Sequence, residues 1–232
     1  MKIIKNEKLI KRNATIGGYS NLAALVFLGG SVYFGLTQPE LGNWTLLTLI
    51  AGFVLTQISM YFGNRFGRRP RPDEQLDAAL KGLPGDAILY HHSTSVPHLY
   101  VGAAGIWILL PFHQKGKVTF KKNRWKSSGG GFLQAYLRIF GQESIGRPDL
   151  EASHLASKLA KEIKKSLNDG EEVPPIYAML VFLDENVEIE AEGSPLPAVQ
   201  VKKLKDLFRK AAKEKSLTPA DLERVKAALP KE

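Results

Sequence analysis

The chain has 232 residues, enough for an anchor plus one globular domain, and its 32 Lys+Arg against 23 Asp+Glu give a formal charge of +9. That balance suits anionic partners such as lipid headgroups or nucleic acid and does not choose between them. The absence of cysteine excludes disulfides, thiolate metal sites and a cysteine nucleophile together, and it fits a reducing compartment.

Residues 1–17 form a basic N-terminus in which Ile3, Ile4, Leu9 and Ile10 alternate with lysines. The pattern is open to a short amphipathic helix on a membrane surface or to a basic tail. Residues 18–64 then predict a transmembrane helical hairpin, because the stretches 18–38 and 44–64 contain no charged side chain. Each is about 20 residues long, which at about 1.5 Å per helical residue covers a hydrocarbon core of about 30 Å. The PELGN between them is too short for anything but a turn. A signal peptide has a shorter apolar run and does not explain a second span close behind it.

Lys2, Lys5, Lys8, Lys11 and Arg12 precede the first span, Arg65, Arg68, Arg69 and Arg71 follow the second, and the turn holds only Glu40. The positive flanks place both termini in the cytoplasm, so an integral membrane protein with two spans is expected. Thr48, Gly52 and Thr56 recur at four-residue spacing, as do Ser31 and Gly35, which predicts close helix packing within the hairpin or between copies of the chain. Neither span holds an ionisable residue, so the pair reads as an anchor rather than a transporter.

Residues 65–72 are a basic, proline-containing linker, and a domain is expected from 73 to 214 with a C-terminal helix at 215–232. Deletion of residues 1–71 is therefore expected to leave that domain intact. DEQLDAALKGLPG predicts a short helix with Leu76, Ala79, Leu80 and Leu83 on one face. AILYHH, HLYVGAA, GIWILLPF and KGKVTF predict strands. FLQAYLRIF is open to helix or strand. DLEASHLASKLAKEIKKSLNDG is a helix lined by Ala152, Leu155, Leu159, Ile163 and Leu167, and PPIYAMLVFLD is a strand buried on both faces. VEIEAE is an edge partner. Helices follow from Val201 to about Lys213 and from Thr218, an N-cap with Pro219 at N1, to Leu229. The order predicts an α/β core with a central mixed sheet.

In order and spacing, DEQLDAALKGL, VPHLYVGAAGIWIL, HQKGKV with Trp125 beyond it, and RPDLEASHLASKL resemble the NERD (nuclease-related) domain, a branch of the restriction-endonuclease-like fold. The resemblance covers about residues 73 to 210 and implies that fold. It puts Glu74 at the family's helix Glu, His98 at a His often seen in the family, and Glu151 at the family's helix Gln. Nucleases of this fold hold a divalent cation with an Asp on one strand and a Glu-x-Lys on the next. By the same resemblance the Asp position here is Pro97, and the Glu and Lys positions are Leu110 and Phe112. Independently of alignment, no Asp or Glu lies between Asp86 and Glu143. No catalytic residue, metal or cofactor is therefore expected.

Four of the five histidines, His91, His92, His98 and His113, lie on or beside these strands. They lack the tight paired spacing of a zinc site, and partly exposed, hydrogen-bonded histidines are expected. Lys115, Lys117, Lys121, Lys122, Arg124 and Lys126 surround Trp125 in a stretch without acid. Three readings stay open: a grip on phosphate with a stacked base, a dock on anionic lipid, and a solvated hairpin face. Gly129–Gly131 lack the GK[ST] sequence of a phosphate loop. The expected function is a membrane-anchored, noncatalytic binding or scaffold module, the alternatives being an active membrane-associated nuclease and a nucleic-acid tether.

Overall fold

The structure is a computed structural model that describes residues 1–83, 86–128, 145–168, 171–213 and 217–231. The chain forms two compact units, one of residues Glu7–Arg71 and one that joins Met1–Asn6 to the chain from Pro72 onward.

The first unit is a hairpin of α1 (Glu7–Thr37) and α2 (Gly42–Phe62), joined by a 3₁₀ turn at Pro39–Leu41 and closed by a π-helical turn at Gly63–Gly67. Both helices are long and apolar enough to cross a membrane. Small residues face inward: Gly17, Ala24 and Ser31 of α1 and Gly52 of α2 are buried, while Leu22, Leu25, Leu36, Leu47, Ile50 and Phe53 are exposed. A methyl group at Gly52 would lie 2.7 Å from Leu28 Cγ, so the helices approach at a distance that only glycine permits. Ser31 Oγ donates to the Thr45 carbonyl at 3.2 Å and Ser59 Oγ to the Gly17 carbonyl at 3.1 Å, adding polar contacts across the pair. Thr48 and Thr56 instead turn their hydroxyls to carbonyls of their own helix.

The second unit is a mixed α/β fold. Its six-stranded sheet has the order β1-β2-β3-β4-β7-β9, with β1 (Lys2–Lys5), β2 (Ile88–His91), β3 (His98–Gly102), β4 (Gly105–Phe112), β7 (Ile176–Phe182) and β9 (Ala198–Gln200). β2, β3 and β4 form an antiparallel meander, while β1, β7 and β9 pair in parallel with their neighbours. The turn from β3 to β4 needs Gly105, whose φ of +105° is closed to side-chain-bearing residues. A three-stranded sheet of β6 (Arg124–Ser128), β5 (Lys117–Lys121) and β8 (Glu188–Glu190) stands beside it.

Helices cover both faces of the larger sheet. On one face α4 (Pro148–Lys164) and α6 (Pro219–Ala228) bury Ala152, Leu159, Ile163, Leu222 and Val225 against Ile4, Leu99, Ile106, Ile108 and Leu110. On the other, α3 (Pro72–Leu80) and α5 (Leu204–Lys213) bury Leu76, Leu80, Leu204 and Phe208 against Leu89, Tyr100, Leu109 and Met179. Phe208 stacks on Tyr100 with ring centroids 4.3 Å apart. Thr218 caps α6, accepting from the Asp221 N–H at 3.1 Å. The C-terminal helix is thus part of the core. FLQAYLRIF and Gly129–Gly131 fall outside the described residues.

The N-terminus departs from both sequence expectations, since Lys2–Lys5 is neither amphipathic helix nor tail but strand β1, paired with β2 from Lys2↔Ile88 to Lys5↔His91. Ile4 is buried under α6 and Ile3 lies on the other side of the strand, so the Lys/Ile run serves a strand's two-residue period. Asn6 alone separates β1 from α1. The helical hairpin is therefore an insertion between the first strand and first helix of the α/β unit. Removing residues 1–71 would strip an edge strand from the sheet, contrary to the expected boundary at residue 73.

Candidate functional site

Every position that the nuclease resemblance singles out now has a place. Leu110 is 4% exposed and lies with Ile106 and Ile108 on the β4 face covered by α4 and α6. Phe112, two residues on, packs against Phe182 with centroids 5.7 Å apart. Pro97 precedes β3, and its carbonyl accepts the His92 N–H at 2.8 Å. Glu74 is half-buried on α3 and Glu151 is exposed in the first turn of α4. Those helices cover opposite faces of the sheet, so the two carboxylates do not converge. Among the described residues, no group of three His, Asp or Glu side chains is placed to hold a metal ion.

A polar cluster does form on the α3 side. Register places Lys5 beside His91 in the β1–β2 pair and His91 opposite His98 in the β2–β3 pair, so three side chains cross the sheet in one row. On α3, Asp73 and Asp77 are one turn apart and face that row. Lys5 Nζ donates to Asp73 Oδ2 at 3.0 Å and also to Asp77 Oδ2. Asp77 Oδ1 lies 3.0 Å from His91 Nε2, and His91 Nδ1 lies 2.7 Å from His98 Nδ1. An ionised carboxylate only accepts, so Nε2 of His91 carries the proton; with His91 neutral, its Nδ1 accepts and His98 Nδ1 donates.

Burial sets the charge of these groups. His91 and His98 are 0% and 4% exposed, correcting the expectation of partly exposed rings. Desolvation, reinforced by repulsion from His91 and His92, holds the His98 pKa well below 6.5, so this ring is neutral at physiological pH. Lys5 is pulled the other way: desolvation disfavours its charge, but the hydrogen bonds it donates to Asp77 and Asp73, with their negative charge, outweigh it and raise its pKa above 10.5. The result is a charged clasp between strand β1 and helix α3, extended through His91 to the neutral ring of His98. Lys5 and Asp77 were not recognisable as partners in the sequence. The i,i+4 spacing of Asp73 and Asp77 was the one local signal. His92 adopts φ +55° and meets the His98 ring edge-on at 4.9 Å, while His113 is half-buried beyond β4.

The basic stretch divides in two. β5 and β6 form a hairpin whose two-residue turn, Lys122–Asn123, has positive φ at both positions. Lys121, Lys122, Arg124 and Lys126 are exposed around that tip. Trp125 points inward at 9% exposure, with Phe120 and Phe182 centroids at 5.2 and 6.4 Å, so the base-stacking reading fails. Lys117 pairs with Glu190 and Lys115 approaches Asp184 at 3.8 Å. The parallel β5–β8 pairing brings up this acid, which the linear stretch lacks. In the helical unit, the Arg65 guanidinium lies 4.0 Å from the Tyr61 ring centroid, and Arg68 and Arg69 are exposed, with Arg71 less so. Comparison with protein-family models, with curated proteins and with solved structures finds no match for this chain.

Proposed function

We propose that the chain is a membrane-anchored, noncatalytic NERD-like domain that acts as a binding module at the cytoplasmic membrane face, with the β5–β6 tip as its contact for anionic lipid. The observation that carries the noncatalytic reading is Leu110, buried at 4% exposure where the nuclease resemblance implies a metal-binding Glu. Metal-assisted hydrolysis needs oxygen ligands converging on a cation, and their loss removes several kcal/mol of transition-state stabilisation. The sequence of α3, an antiparallel β2–β3–β4 meander, α4, and β7 parallel to β4 agrees with a nuclease-like core.

Membrane insertion is supported by the inside-out hairpin, whose large apolar side chains face outward while its small ones pack inside. The arginines after α2 and the lysines before the charge-free part of α1 favour cytoplasmic termini. Lipid is favoured over nucleic acid because the tip offers cations without an exposed aromatic. At about 1 kcal/mol for each Lys or Arg near an anionic surface, the tip residues together contribute about 4 kcal/mol.

The test uses the full chain in nanodiscs. Supercoiled plasmid, single-stranded DNA and RNA are expected to stay intact with Mg²⁺ or Mn²⁺. A fluorophore on Asn123→Cys is expected to be quenched by headgroup-depth quenchers in anionic discs, with the signal lost when Lys121, Lys122, Arg124 and Lys126 are changed to Glu. Chelator-sensitive cleavage abolished by Glu74→Ala or Glu151→Ala would overturn the noncatalytic reading. Equal quenching in neutral discs would overturn the lipid contact.

A further inference from the structure

Two carboxamides stand on the outside of the helical hairpin, Asn21 on α1 and Gln57 on α2, among the exposed side chains of Leu22, Leu25, Phe53 and Ile58. Asn21 lies nine residues past Arg12 and Gln57 eight before Arg65, the nearest charged residues in the chain. At about 1.5 Å per residue each amide is about 12 to 14 Å from that charge, inside a hydrocarbon core of about 30 Å. Register within the hairpin brings the two level. A methyl group added at Gly17 would lie 3.1 Å from Phe62 Cβ, and Gly52 sits against Leu28, so between these contacts Asn21 and Gln57 come within a turn of the same height. Thr48 and Thr56 settle their hydroxyls on carbonyls of their own helix. The amides do not: among the described residues neither has a hydrogen-bond partner. Lipid supplies no water to serve them, and neither side chain is long enough to reach the headgroups, so their cost persists until another protein group meets them.

We propose that this surface is the interface of a homodimer, in which Asn21 and Gln57 of one copy hydrogen-bond the same two amides of a second. The proposal rests on the membrane-anchored reading above. Two arguments favour a second copy over an unrelated partner. A carboxamide carries both donors and an acceptor, so it is its own complement. Copies inserted in the same orientation also keep every group at its own height, so across a two-fold axis along the membrane normal only level groups can meet, as these amides are. The α1 surface leaves room for the approach. Gly18, Asn21, Leu25 and Gly29 recur at the spacing of one helix face, and a methyl group added at Gly18 or Gly29 would meet no atom within 4 Å. The short Asn21 side chain reaches a neighbouring helix only at close range, which the flanking glycines permit.

The experiment uses the full chain in proteoliposomes of neutral lipid, labelled through Glu40→Cys in the turn between the helices, with a donor dye on some copies and an acceptor on others. Resistance to alkaline carbonate is measured first on the same vesicles. Energy transfer is expected to saturate as protein density rises and to grow linearly with acceptor fraction, as a dimer requires. Gln57→Leu and Asn21→Leu should each move half-saturation to about tenfold higher protein density, with helix content unchanged because leucine suits lipid. Gly29→Ile leaves both amides in place and should also weaken the dimer, by blocking close approach. Release by carbonate would remove the membrane reading and the dimer with it. Retention in the bilayer without saturable transfer, or half-saturation unchanged in both leucine variants, would overturn the dimer and leave the anchor standing.

Discussion

Lys5→Ala is expected to lower the unfolding free energy of the α/β unit by about 3 kcal/mol, the low end for removing one partner of a buried ion pair. The side chain is 18% exposed and its partner Asp73 only 2%, so the variant takes the ammonium away from a carboxylate that is almost fully buried. Asp77 would keep its bond to His91, and its loss is smaller because it is more accessible. A thermal midpoint about 10 °C lower follows for a unit of this size. Adding Asp73→Asn to Lys5→Met should recover part of the loss, because it removes the buried negative charge along with the ammonium. The pH dependence gives a second readout. The Lys5 pKa is higher folded than unfolded, so its contribution is complete below 10.5 and is lost as pH rises through the folded value. The variant should lack that alkaline slope. A change under about 1 kcal/mol would mean that the clasp behaves like a surface pair.

Leu110→Glu is expected to be the most damaging single change, with a cost of about 4 kcal/mol or more. It introduces the residue type that the proposed nuclease resemblance implies at this position, yet the carboxylate would enter a layer formed by Ile106, Ile108, Ala152 and Leu159. Two outcomes remain open to the protein, unfolding or a strongly raised carboxyl pKa, and both read out as lost stability at neutral pH. Leu110→Met keeps the volume and should cost less than about 1.5 kcal/mol. Near-UV circular dichroism during thermal unfolding separates the two variants. A glutamate tolerated at native stability would reveal a hydrated pocket and reopen the catalytic reading.

What could be read from the sequence was local. The two apolar helices, the α4 stripe of Ala152, Leu159 and Ile163, the Thr218 cap and the buried strand β7 each follow from spacing within a single segment. The features that were missed depend on partners far along the chain. Ile3 and Ile4 carry no turn signal and become a strand only because the edge of β2 is available, 86 residues away in the paired register. Lys5 meets Asp73 across 68 residues. Trp125 sits among cations in the sequence, but strand alternation turns it toward Phe182 while its neighbours face outward. The acids that pair with Lys115 and Lys117 come from beyond β7, which no reading of the basic stretch alone could supply.

The most direct test of the anchored, cytoplasm-facing account uses the absence of cysteine. Single cysteines are placed in separate chains at Glu40, in the turn between α1 and α2, and at Lys231, near the C-terminus, and intact cells are treated with a membrane-impermeant maleimide. Glu40→Cys is predicted to react in intact cells, and Lys231→Cys only after the membrane is opened. Labelling of Lys231→Cys in intact cells, with Glu40→Cys protected until lysis, would contradict the account.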